Sequence, residues 1–324
     1  VEPCSGLLPA AWDIVRFANP QELVTVLDSG VRYTIPEMTP NMSYNSLEMG
    51  NDEDQSGVVG DYWGASFDND LLNDGCANPR NDPWDRCGHG TEMASIIGAV
   101  ANNNSLMSGA VWTCKILPVQ VYGQLVHSTW IAKGMEYAVF GRGSRLINCR
   151  FVVYDDASVI KQVLLNTPNV LYVCAAGNDC VDLDTPFPPG CTPNIQAYPA
   201  QYHFANQLVV GGSDMNDNPN TICGCPFYDS GTSYGKTKVD VFAPSTNIWT
   251  LLLNGTVSNV GSGTSDAAAL TTGLALLLWT QDPTRTVADI KAKIMNNADV
   301  FPSLTNKCVT GGRINAARAL GGGC

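Results

Sequence analysis

The chain has 324 residues, of which 44% are hydrophobic, with 18 Lys+Arg against 30 Asp+Glu and a formal net charge of −12. That length holds one large domain or two small ones with enough apolar content for a substantial core. The acidic balance argues against sequence-independent nucleic-acid binding and against attraction to an anionic membrane.

In chain order, residues 23–27, 115–121, 146–153, 170–176 and 208–212 are short, nearly continuous apolar runs, the pattern of strands covered on both faces. Residues 90–101, 129–140, 158–165, 264–280, 287–296 and 313–320 have helical spacing. The most apolar run, 267–279, carries Thr271, Thr272 and Gly273; it is too short to span a bilayer and reads as a buried core helix. The alternation predicts an α/β fold, a single domain over 1–324 with a mostly parallel central β-sheet flanked by helices. No composition shift, linker or repeat divides the chain. Residues 34–61 and 179–199 are long, polar and punctuated by Pro and Gly, predicting surface loops in which substrate preference resides.

Twelve cysteines are an even count, and Cys76, Cys87, Cys180, Cys191 and Cys324 sit in turn-rich segments, which predicts an oxidising compartment and a secreted, disulfide-bonded protein. Asn-x-Ser/Thr triplets at Asn41, Asn103 and Asn254 agree with it as glycosylation sites. The pairing stays open. Cys149 and Cys174 lie in strand-like runs and are expected to be buried thiols. Cys223 and Cys225 are too close to bridge each other and are expected to pair elsewhere. The chain opens on Val1-Glu2-Pro3-Cys4 with no signal-peptide pattern, as a processed or truncated form of a secreted protein would.

Three Gly-rich turns carry the chemistry: Leu27-Asp28-Ser29-Gly30, Cys87-Gly88-His89-Gly90-Thr91 and Gly263-Thr264-Ser265-Asp266-Ala267. A serine hydroxyl becomes a nucleophile when an imidazole removes its proton, and the imidazole needs a carboxylate to hold its tautomer. Asp28 ends a predicted strand, where catalytic groups project in an open parallel sheet. His89 and Ser265 each begin a predicted helix, and backbone N–H groups there favour an oxyanion. The other two histidines, His127 and His203, lack such a frame and read as surface or core residues.

With the order Asp, His, Ser, the chain resembles the subtilisin-like serine proteases, the subtilases. Asp28-Ser29-Gly30 is similar to the family's acid motif, His89-Gly90-Thr91 to its base motif and Gly263-Thr264-Ser265-x-Ala267 to its nucleophile motif. Ile116-Leu117-Pro118-Val119, Val173-Cys174-Ala175-Ala176-Gly177-Asn178, Tyr198-Pro199-Ala200 and Val209-Val210-Gly211-Gly212 match further landmarks in order, so the likeness runs from about Asp28 to Thr280. It implies a subtilisin-like fold and a secreted serine endopeptidase that hydrolyses peptide bonds through an acyl-enzyme. It also implies an oxyanion donor at Asn178, peptide or protein substrates and a cleaved propeptide.

The resemblance places substrate-binding residues at Arg150, Phe151 and Val152 and at Ala175, Ala176 and Gly177. Here the chain departs from the family: Arg150 stands where the family has Ser and Val152 where it has Gly, which should narrow the primary pocket or the cleft entrance. Asp266 follows the nucleophile, and the usual Pro is missing. A first-turn carboxylate suits the helix dipole; alternatively Asp266 favours a charged His89 or binds a cationic substrate group. Glu92 fits its helix start in the same way. These departures leave two alternatives: a peptide transferase, cyclase or esterase using the same acyl-enzyme, or a subtilase-like protein that binds without turnover.

No cofactor is required by this chemistry. Residues 66–70 with Asn73 and Asp74 offer oxygens of the kind a structural calcium takes, as subtilases often carry, against the reading of a solvated loop. No Cys/His spacing suggests zinc, so no metal ligands are assigned.

Overall fold

The computed structural model describes residues 8–48, 52, 54–68, 81–123, 126–153, 157–185, 197–220 and 231–322. Its elements are α1 (Leu8–Trp12), β1 (Leu23–Asp28), β2 (Ala65–Ser66), α2 (His89–Gly98), β3 (Lys115–Gln120), α3 (Ser128–Glu136), β4 (Leu146–Cys149), α4 (Ser158–Asn166) and β5 (Leu171–Ala175). After these come β6 (Gln207–Ser213), β7 (Val241–Pro244), β8 (Thr246–Leu251), β9 (Val257–Ser262), α5 (Thr264–Gln281), α6 (Val287–Asn296), β10 (Asp299–Val300), β11 (Gly312–Arg313) and α7 (Ala316–Ala319).

The continuous apolar runs become the centre of a nine-stranded sheet of order β10-β11-β7-β6-β5-β4-β1-β3-β2. Its pairs are parallel except β10 with β11. Period-two alternation divides its side chains between two cores. Val24, Val26, Val173 and Ala175 pack on the face that carries α2 and α5. Leu27, Leu117, Val119, Tyr172 and Cys174 pack on the face that carries α3 and α4. The run 267–279 lies inside α5, whose residues are buried from Leu274 to Trp279 without a polar side, as expected of a helix enclosed by the fold.

The sheet places the site. From β1 the chain builds β2 and β3 on one side and then β4 to β7 on the other, so the direction of winding switches at β1. Ligands in open α/β sheets bind beyond the carboxyl ends of the strands at such a switch. Asp28 is the last residue of β1.

Several expectations are corrected. The run 146–153 is strand only to Cys149; beyond it Val153 exchanges backbone hydrogen bonds of 2.9 and 3.0 Å with Tyr198. The helix expected over 313–320 shrinks to α7, because Arg313 joins the sheet edge and the Asn315 side chain caps the helix by accepting from the Arg318 N–H. Within the expected surface loop 34–61, Ile35, Met38, Met42 and Val58 are buried, while Tyr44, Leu47 and Val59 stay exposed. The hairpin of β8 and β9 was not expected; polar residues interrupt its apolar ones, leaving Trp249 exposed.

Cys114, Cys149, Cys174 and Cys308 are buried thiols, and Cys149 stands opposite Cys174 across β4 and β5. Cys87 and Cys180 are disulfide-bonded. Cys76, Cys191, Cys223, Cys225 and Cys324 lie outside the described residues. Among the described residues no helix is long and apolar enough to cross a membrane.

Candidate active site

The acid and base predicted from the sequence meet at the carboxyl end of β1. Both oxygens of Asp28 lie 3.0 Å from His89 Nδ1. The carboxylate is fully buried and also accepts from the Ser29 N–H at 2.7 Å and the Tyr122 hydroxyl at 2.8 Å. Burial alone would raise this carboxyl, but the adjacent His89 ring, then Arg150 and the Ser29 N–H, outweigh it and hold it at about 2. An ionised Asp28 accepts from Nδ1–H, which leaves Nε2 as the ring's basic nitrogen.

The two turns interlock through their small residues. Gly30 has φ +99°, and a Cβ there would stand 2.3 Å from the Pro83 carbonyl oxygen. A Cβ on Gly90 would stand 1.9 Å from the Gly30 carbonyl oxygen. In that space the Gly90 N–H donates to Ser29 Oγ at 2.9 Å.

Beneath them lies Asp85, a fully buried carboxylate that sequence reasoning missed. It accepts from Ser29 Oγ, the N–H groups of Cys87, Gly88 and Thr91, and Thr91 Oγ1, at 2.6–3.1 Å. Burial raises its carboxyl above the ordinary range despite these donors. Asp85-Arg86-Cys87-Gly88 is an Asx-turn pattern that points to this role in the sequence itself.

The nucleophile candidate sits at the start of α5. Ser265 is 5% exposed and is the helix's second residue, a position whose N–H has no acceptor four residues back within the helix. Asn178, after β5, is exposed, and its side-chain oxygen accepts from the Thr264 N–H at 2.9 Å and Thr264 Oγ1 at 3.0 Å. A backbone N–H can only donate, so the atom facing Thr264 is Oδ1. Nδ2 remains as the donor, close to Gly263, where an added Cβ would stand 3.2 Å from it. Asn178 thus caps α5 and keeps an amide N–H pair beside it. No hydrogen bond joins Ser265 Oγ to His89 among the described residues; such contacts are often long until substrate binds.

Phe151, Ala175 and Ala176, expected to bind substrate, are 0–1% exposed and pack in the cores, so only their backbone is left for such a role. Val152 is half-buried against the α3/α4 core. Arg150 reaches back over the Tyr122 ring at 5.0 Å and donates to its hydroxyl. Asp266 is 3% exposed, with Oδ1 buried and unpartnered. Burial lifts its carboxyl to about 6, against the lowering influence of His89, its own N–H and Arg150. Burial also raises half-buried Glu92, opposed by His89.

The expected calcium run lies mostly outside the described residues, from Asn69 onward. A different acidic group, Glu48, Asp54 and Asp61, has ligand oxygens within 4.8 Å of one another. Glu48 Oε1 is buried without a partner, but the other two acids already have one. Arg142 lies 3.3 Å from Asp61 Oδ2 and 3.6 Å from Asp54 Oδ2, so a guanidinium already supplies the positive charge. Tyr137 donates to the same Asp61 oxygen, and Asn45 bridges Asp54 and Asp61.

The subtilase family model matches residues 20–323. Thermitase from Thermoactinomyces vulgaris is 30% identical over 317 residues, covering 96% of this chain and 92% of thermitase. Subtilisin-like protease 1 from Plasmodium berghei (strain Anka) is 26% identical over 341 residues, covering 95% of this chain and 52% of that protein. The chain therefore spans about half the length of the Plasmodium relative. The crystal structure of the A-subunit of the AB5 toxin from E. coli superposes with a TM-score of 0.72 at 22% identity, covering 98% of this chain and 96% of that one, and shares the fold. The chain belongs to the subtilase family, the subtilisin-like serine proteases.

Proposed function

We propose that this chain is one peptidase domain over 1–324, a serine endopeptidase that hydrolyses peptide bonds through an acyl-enzyme. Ser265 attacks the scissile carbonyl, and His89 Nε2 takes its proton and then returns it to the leaving amine. Asp28 holds the ring and stabilises its charged form, while Asn178 Nδ2 and the Ser265 N–H receive the developing oxyanion. The observation that carries this reading is the Asp28–His89 pair, with both carboxylate oxygens 3.0 Å from Nδ1 at the switch of the sheet. The amide of Asn178, whose oxygen is taken by Thr264 and whose Nδ2 lies close to Gly263, supports the oxyanion role; one such donor contributes about 3–4 kcal/mol to the transition state.

Substrates are peptides or proteins in extended form, laid along residues 150–152 and 175–177, with a propeptide as a further ligand of the same cleft. The cysteine count, the disulfide-bonded Cys87 and Cys180 and the exposed triplets at Asn103 and Asn254 support a secreted protein; the triplet at Asn41 does not, because that side chain is 1% exposed and its Nδ2 donates to the Gly98 and Trp112 carbonyls.

A fluorophosphonate probe should label the protein at pH 7–8 and fail on Ser265→Ala, and peptide cleavage should fall by about 10⁴-fold or more with either Ser265→Ala or His89→Ala. An unlabelled wild-type protein overturns the reading. Added amine nucleophile should leave only hydrolysed product.

A further inference from the structure

The carboxyl end of β1 is flanked by two residues that neither the acyl-enzyme scheme nor the substrate strand uses in the way they are placed. β1 pairs with β3 on one side, ending with Asp28 opposite Gln120, and with β4 on the other, ending with Leu27 opposite Cys149. One step past those pairs the chain presents Arg150 on one side; two residues past Gln120 it presents Tyr122 on the other. The two side chains converge above Asp28. Tyr122 is 6% exposed and donates to Asp28 Oδ1 at 2.8 Å. With its proton committed to the carboxylate, its oxygen can only accept, and Arg150 Nη1 donates to it. The guanidinium also lies over the Tyr122 ring, 5.0 Å from its centroid, where the electron-rich face attracts a cation.

The charges around His89 give this chain of contacts a purpose. Asp28 from β1, Asp85 from the turn before α2, Glu92 from α2 and Asp266 from α5 are all carboxyl groups of this neighbourhood. Arg150 is the cation felt by Asp28, Glu92 and Asp266 alike. Carboxylates near an imidazole favour its protonated form, in which it cannot act as a base; a cation opposes them. Tyr122 itself stays neutral, since burial and then Asp28 raise its hydroxyl.

We propose that Arg150 and Tyr122 are positioning residues for the acid–base pair: the Tyr122 hydroxyl fixes Asp28 Oδ1, and Arg150, held through Tyr122, offsets the carboxylates around His89 and so favours the neutral ring that acts as base. The side chain that replaces a small residue in the substrate strand is thereby folded back to the sheet and serves the acid. The kinetic consequence rests on the serine-peptidase reading above; the effect on the His89 ring does not.

Two readouts separate these. In wild-type background, Arg150→Met should move the acid limb of kcat/KM upward by about half a pH unit or more. Arg150→Lys, which keeps the charge, should restore most of that limb. Tyr122→Phe should lower kcat several-fold with KM little changed. In Ser265→Ala background, the His89 ring followed by NMR should titrate at higher pH with Arg150→Met and with Tyr122→Phe than without them. A stability loss in Arg150→Met or Tyr122→Phe with an unmoved acid limb and an unmoved ring titration would reduce the pair to structural filler and overturn the proposal. A ring titration that shifts while the wild-type protein takes no fluorophosphonate label would retain it and overturn the peptidase reading instead. Should Arg150→Met fail to fold, Arg150→Gln, which also removes the charge, takes its place against Arg150→Lys, and Tyr122→Phe still carries the ring titration.

Discussion

Asp85 and Asp266 are both buried carboxyl groups beside the start of a helix that carries a site residue, and they are treated in opposite ways. Asp85 gathers five donors from the two interlocked turns. Asp266 is left with an oxygen that nothing reaches. A buried anion with enough donors is a fixing point, since each partner loses its own hydrogen bond if the acid goes. A buried acid without them is a liability whose charge depends on the medium. The first holds the His89 turn in shape; the second sits next to Ser265, with a protonation state that follows the pH of the medium.

The sharpest way to break this contrast is Asp85→Ala, which strands several buried donors and should cost about 3–5 kcal/mol in urea unfolding. A loss under 1 kcal/mol would mean that the turns hold themselves. Asp266→Asn should act in the other direction. Its carboxyl rises from 3.8 to about 6 in the fold, so its contribution to stability is fully present below pH 4 and is lost as pH rises through 6. The substitution, made in Ser265→Ala to prevent self-cleavage, should therefore stabilise the protein at pH 8 by up to about 3 kcal/mol. At pH 3.5 that gain should vanish, and a pH-independent difference would contradict the assignment. The smallest effect belongs to the surface, where Thr286 and Asp289 exchange hydrogen bonds in a capping box at the start of α6. Thr286→Ala should cost about 1 kcal/mol and leave kcat unchanged.

The sequence is legible where one physical cause dominates. Strands β1, β3, β4, β5 and β6 are readable because burial on both faces demands unbroken apolar runs, and α5 because it is enclosed on all sides. Asp28 and His89 are readable because their turns are built of small residues. What escapes is set by contacts between distant segments. The local Asx-turn of Asp85 is legible, but its role as a tie between two turns appears only when Ser29 and Thr91 close on it. Tyr122 and Arg150 are 28 residues apart, and only the flanking of β1 by β3 and β4 brings them to Asp28. The inward packing within 34–61 fails for a similar reason: its Met and Ile residues are too sparse to show a period. The hairpin of β8 and β9 is missed because its register shifts twice.

The Arg142 guanidinium among Asp54 and Asp61 has a consequence for how this part of the molecule meets its surroundings. A bound ion leaves at a rate and is lost when the medium is poor in it or holds a chelator. A counter-charge carried on one of the chain's own side chains is present at a fixed effective concentration whatever the medium contains. For Asp54 and Asp61 the counter-charge is part of the gene product, inherited with the fold.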